Sequence, residues 1–157
     1  MATSVNSSIA GSVITDHTTS TSAKVMVNGD TLFSTVGDVL IYALASECYT
    51  ANGATASTLQ YSVTNNTTTT SQTITIASAS LANAAIGVSV LAQLGALTNA
   101  PVVTTASGVG AFPWGAIRVP GNSSVKVVIG VGSTTGTWKH YIRYEPLEDG
   151  AYVTPAF

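Results

Sequence analysis

Asp38-Val39-Leu40-Ile41-Tyr42-Ala43-Leu44-Ala45-Ser46-Glu47-Cys48-Tyr49 is the stretch on which the fold class turns. It is long enough for an apolar helix of several turns, or for one long strand. Gly37 before it, the Val39 start and the Asn52-Gly53 pair after it favour a buried strand. If this run is a strand, the chain holds no long helix and the fold is all-β.

The neighbouring segments agree with that choice. Upstream, Lys24–Val27 is a short strand stopped by the turn Asn28-Gly29-Asp30, and Thr31–Val36 resumes it until Gly37-Asp38. Downstream, Thr58–Thr64 alternates, with Leu59, Tyr61 and Val63 on one face and Thr58, Gln60, Ser62 and Thr64 on the other. Asn65–Ser71 reads as a polar loop, and Gln72–Ala77 alternates around Ile74 and Ile76. Ser80–Ala85 is expected to form a helical turn capped by Ser80, and Gly87–Leu94 a strand, with a helix as its alternative. Pro101–Thr105 is a short extended piece and Ala116–Val119 a strand. Ser124–Val131 and Thr137–Glu145 are strands joined by the hairpin loop Gly132–Gly136.

About eight to ten short strands with turn signals between them predict an antiparallel β-sandwich, jelly-roll-like. Residues 23–157 are expected to form this single domain, preceded by an extended arm over 1–22 whose apolar residues come in ones and twos. Alternation places Leu59, Tyr61, Val63, Ile74, Ile76, Val125, Val127, Ile129, Trp138, Ile142 and Tyr144 in the core.

Composition narrows the function. Of 157 residues, 5 are Lys or Arg and 7 are Asp or Glu, while 24 Thr and 18 Ser supply the polarity. So few cations cannot neutralise a nucleic-acid backbone, and nucleic acid is not an expected partner. No charged residue occurs from Cys48 to Ile117, a run of 70 positions. Its most apolar part, Leu81–Leu97, is broken by Asn83, Gly87, Ser89, Gln93 and Gly95, so a membrane-spanning helix is not expected. The start MATSVNSSIAGSV lacks the basic and apolar regions of a secretory signal. Sparse charge also removes the usual guard against edge pairing, which suits a chain that works inside an assembly.

The candidate chemistry is thin. Cys48 stands alone, so neither an intramolecular disulfide nor a cysteine metal cluster can form, and a buried apolar role is expected. Asp16 and His17 adjoin in sequence, which points them to opposite faces of a strand and argues against a catalytic triad. His140 falls in the row Trp138, His140, Ile142, Tyr144, opposite Lys139, Tyr141, Arg143 and Glu145, and is expected to face the core. Glu145, Glu148 and Asp149 crowd one terminal turn instead of facing across a cleft. The expectation is a protein that is not an enzyme and needs no cofactor or metal. Interface residues are expected at Val5, Ile9, Val13 and Ile14 of the arm and at Phe112 and Trp114 of a Gly- and Pro-punctuated segment. Trp114 could equally plug the sandwich rim. Trp114, Tyr49 or Tyr152 could instead stack on a sugar ring, so a carbohydrate-binding module is an alternative.

Three motifs carry a family resemblance. Trp138–Ala151 reads WKHYIRYEPLEDGA, an aromatic-rich strand followed by a Tyr-x-Pro-Leu-x-Asp-Gly-Ala turn. Leu32–Ile41 reads LFSTVGDVLI, and Gly132–Thr137 reads GSTTGT. The chain resembles small structural proteins of tailed bacteriophages, of the capsid cement (decoration) type. The segment Asn52–Ala111 carries no matching motif. The resemblance implies a jelly-roll-like virion protein on the outer capsid surface, made in the host bacterial cytoplasm. It would bind the major capsid protein and its own copies as a homotrimer. A head fibre or tail protein is the alternative within the same class. The family brings no catalytic residues.

Overall fold

The computed structural model describes residues 16–112 and 115–157. Among them twelve strands form and no helix does. The deciding run is β4, Val39–Cys48, a strand of ten residues. The others are β1 (His17–Ser20), β2 (Lys24–Val27), β3 (Thr31–Val36), β5 (Leu59–Asn65), β6 (Thr70–Thr73), β7 (Ser89–Leu91), β8 (Val102–Val103), β9 (Ile117–Val119), β10 (Ser123–Ile129), β11 (Ser133–Pro146) and β12 (Tyr152–Pro155).

Two antiparallel sheets pack face to face. The larger runs β1-β11-β4-β7-β8, with β2 beside the first half of β11 and β9 beside the first part of β4. The smaller runs β12-β3-β10-β5-β6. The row β2-β11-β4-β7 faces the row β3-β10-β5-β6, and the chain passes between the sheets in the order of a jelly roll.

The core forms where the two inner faces meet. Ile41, Leu44, Trp138 and Ile142 from the large sheet meet Phe33, Leu59, Val125, Val127 and Ile129 from the small one, all buried. A polar link crosses this core. Ser46 Oγ lies 2.7 Å from His140 Nδ1 and 2.7 Å from the Tyr61 hydroxyl, which donates to the Val90 carbonyl at 3.2 Å. Cys48 closes the inner row of β4 and is fully buried, its thiol donating to the Thr50 carbonyl at 3.2 Å.

Buried Asn52 gathers the loops at one end of the sandwich. Its Oδ1 accepts from the backbone N–H groups of Thr135 and Gly136, each at 2.9 Å, and its Nδ2 donates to the Leu81 carbonyl at 2.8 Å. At the other end Gly37, with φ +70°, lets its loop close on the turn after β11, where an added Cβ would stand 2.7 Å from that of Ala151.

Several expectations change. Within the arm expected over 1–22, His17–Ser20 is a strand of the large sheet, pairing from His17 opposite Tyr144 to Ser20 opposite Tyr141, and residues 1–15 lie outside the described residues. Among the described residues the strands number twelve instead of eight to ten, because β1 and β12 lack apolar alternation. Ile76 is 47% exposed, since β6 ends at Thr73 and the alternation continues into a turn. Part of the expected polar loop Asn65–Ser71 belongs to β6. No helical turn forms over Ser80–Ala85: the Ser80 hydroxyl accepts from Ala82 N–H at 3.2 Å, but Asn83 takes φ +57°. The strand expected over Gly87–Leu94 shrinks to β7.

Ile129 and Ile142 are buried on opposing sheets, and each loses packing on truncation. Ile129→Ala and Ile142→Ala should each destabilise the domain by about 2–5 kcal/mol in urea unfolding. A loss under about 0.5 kcal/mol at both would show that these faces are not packed together.

Candidate functional site: the outer face of the large sheet

The register of β4 with β11 decides what the large sheet shows outward. Tyr141 lies opposite Ala45, Arg143 opposite Ala43 and Lys139 opposite Glu47. Side chains alternate across a strand, so these residues share the outer face while Leu44, Ser46, His140 and Ile142 face inward. Between Arg143 and Tyr144 the register shifts, leaving Tyr42 as the extra residue of a β-bulge. The pleat is locally broken there, so Tyr42 is half-buried beside Ala43.

Two alanines opposite a tyrosine and an arginine leave a depression. It is a shallow groove of about 350 Å³, floored by Ala43 and Ala45 and walled by Thr18, Phe112, Tyr141 and Arg143. Phe112 is thus brought to this face from its distant segment. Val5, Ile9, Val13, Ile14 and Trp114 lie outside the described residues.

The polar side chains of the face bond to one another. The Tyr141 hydroxyl donates to Glu47 Oε2 at 2.8 Å, Tyr42 donates to Glu145, and Arg143 pairs with Asp16. Lys139 Nζ lies 5.2 Å from the centre of the Tyr141 ring. The carboxylate of Glu145 pushes the Tyr42 phenol up to about 12, with burial adding to it. Burial first, and then Glu47, pushes Tyr141 up to about 12. Both phenols therefore stay protonated and donate throughout the ordinary pH range.

The opposite surface has different chemistry. On the small sheet Thr154, Ser34, Ser124, Thr64 and Ser71 are successive cross-strand partners, a row of hydroxyls across five strands. Thr64 and Ser71 bond one another at 2.8 Å, and Ser124 accepts from Asn66 Nδ2 at 3.0 Å. Tyr141 and Arg143, of residue types that concentrate at the centres of protein interfaces, stand together on the large sheet's face.

The remaining candidates separate. His17 stacks on Tyr144 with ring centroids 5.3 Å apart, while Asp16 turns to Arg143. Glu148 Oε1 accepts from Asp38 N–H at 2.9 Å and Glu145 turns to Tyr42, so the terminal acids diverge. Tyr49 follows β4 on the large sheet and Tyr152 opens β12 on the small one, so they build no common platform. Among the described residues no group of three His, Cys, Asp or Glu side chains is placed to hold a metal. Comparison with protein-family models, with curated proteins and with solved structures finds no match for this chain.

His140 behaves as a core residue with a consequence for stability. It is fully buried, its backbone N–H bonds the Thr21 hydroxyl at 3.1 Å, and its ring meets Phe157 edge-on at 6.0 Å. Among the described residues its Nε2 has no partner. Burial, the largest cause, drives its pKa from 6.5 down to about 3. The unfolded chain thus takes up a proton near pH 6.5 that the folded chain refuses until about pH 3, and folding stability is lost as pH falls through that window. Urea unfolding should show a loss of about 2 kcal/mol between pH 7 and pH 5, with a clearly shallower slope in His140→Gln. Parallel slopes in the two proteins would show that this histidine is not the source.

Proposed function

We propose that this protein is a structural component of a tailed-bacteriophage virion, a capsid cement protein seated on the outside of the head. In this reading it contacts the major capsid protein and its own copies, acts as a homotrimer, and performs no catalysis. The resemblance of Leu32–Ile41, Gly132–Thr137 and Trp138–Ala151 to such proteins supports the virion context. A jelly roll is also used by lectins and enzymes, so the fold adds little to the choice of function.

The observation that carries the reading is the outer face of the large sheet. A groove floored by Ala43 and Ala45, with Phe112, Tyr141 and Arg143 around it, offers apolar area and aromatic edges to a protein surface. Arg143 is already paired with Asp16, and Glu47 and Glu145 each accept from a tyrosine hydroxyl, so a partner covering it meets oriented donors and acceptors. Such contacts work by area and shape. On a shell that presents many identical sites, a trimer multiplies modest contacts into lasting attachment.

Ala45→Arg tests the assignment by filling the groove from its floor while the inner face of β4 is unchanged. Full-length protein and variant are co-sedimented with undecorated phage heads, and each is melted alone. The variant should bind at least about tenfold more weakly, a loss of about 1.4 kcal/mol, with a similar melting temperature. Equal binding would remove this face from the interface. Binding of neither protein to heads, with sedimentation on isolated tails instead, would move the protein to the tail.

A further inference from the structure

The two sheets part at one side of the sandwich. There β6, the outermost strand of the small sheet, and β9, which pairs with β4, border a cleft of about 510 Å³. Its floor is apolar: Val63, Ile74, Leu97, Ile117 and Val119. Ile74 and Val119 are buried core residues, whereas Leu97 is 42% exposed. The cation on its rim, Arg118, is engaged by Asp38.

β6 is an unguarded edge. Its sequence, TSQT, has no charge and no proline, all four residues are exposed, and it has β5 on one side with no strand paired on the other among the described residues. Such an edge is a template for another strand. The cleft beside it would take that strand's alternate side chains.

The chain contains a segment of matching chemistry. Residues 1–15 have no charged side chain, and Ile9 and Val13 share one face of an extended chain with Gly11 between them. Their separation of about 13 Å equals the length of a four-residue strand such as β6.

Length decides which copy supplies it. His17 lies in one cross-strand row with Tyr144, Ile41 and Ile117, so about 14 Å separates it from β9 within the same molecule. Crossing that distance would use at least about four residues, taking Val13 and Ile14 out of the cleft. A neighbouring molecule can present Ile9 and Val13 together. We propose that the β6–β9 cleft receives residues 8–14 of a second copy of this chain, added as a strand along β6 with Ile9 and Val13 on the apolar floor. A head-to-tail exchange of this kind closes when the rotation between copies closes, and a threefold ring is one such solution.

The inference rests on the self-association in the proposed function but not on attachment to heads, so the two can fail separately. Full-length Ile9→Cys and full-length Gln72→Cys are mixed and oxidised; Gln72 is exposed on β6, and the native Cys48 is buried. A covalent heterodimer should form in the mixture, at least about tenfold faster than when Thr154→Cys, on the opposite edge strand, replaces Gln72→Cys. Leu97→Arg introduced into the Gln72→Cys chain should slow the reaction by a similar factor. No heterodimer, or equal rates with Thr154→Cys, would overturn the proposal. So would a chain carrying both Ile9→Cys and Gln72→Cys that forms the new disulfide only within itself, because the segment would then fill its own cleft. Co-sedimentation of the otherwise unaltered chain and of Ala45→Arg with heads reads attachment separately from the exchange.

Discussion

The pairing of β4 with β11 is the constraint from which most of the molecule follows. Nine positions pair along it, more than in any other ladder among the described residues. It aligns Cys48 with Trp138, Ser46 with His140 and Leu44 with Ile142 on the inner side. On the outer side the same register aligns Glu47 with Lys139, Ala45 with Tyr141 and Ala43 with Arg143. A slip of one residue would exchange the two sets, burying charges and exposing a tryptophan. Core and groove are thus two consequences of one register.

The core supports that register with polarity as well as packing. Ser46 joins His140 in its own sheet to Tyr61 in the other, and such a link is satisfied only when both sheets are correctly placed. Buried polar groups left unpaired would cost about 1–3 kcal/mol each, so misaligned packings are penalised more than the native one. Asn52 acts similarly among the loops, serving two separate segments, at Leu81 and at Thr135-Gly136, with one amide.

What can be read from the residues divides by physical cause. β5, β10 and β11 set their large apolar side chains at every second position on a buried face, so their alternation declares them, as it declares the core row Trp138, His140, Ile142 and Tyr144. β1, β6 and β12 are edge strands held mainly by backbone hydrogen bonds, and sequences such as HTTS or TSQT carry no apolar pattern to reveal them. That is why residues 17–20 read as part of the arm. Ile76 shows the opposite failure, in which alternation outlasts the strand. The groove is harder still. Ala43 and Ala45 look like core in an apolar run, and only the partner register turns them outward against Tyr141 and Arg143. Phe112 is an interface residue only by expectation from the sequence, and spacing alone does not name Ala43, Ala45 or Tyr141 as the residues with which it lines the groove.

The solitary thiol gives this architecture an internal clock. Cys48 is enclosed at the end of the central strand, and burial raises its pKa, so little of it is the reactive thiolate. A small thiol reagent can reach it only when the end of β4 or the loops carrying Thr50 and Ala84 move away from it. Because the chain has one cysteine, each modified molecule records one such opening. When reagent is scarce the labelling rate follows the equilibrium population of open molecules, and when it is abundant the rate follows the opening step itself. The end of the central strand thus reports its own breathing without an introduced probe.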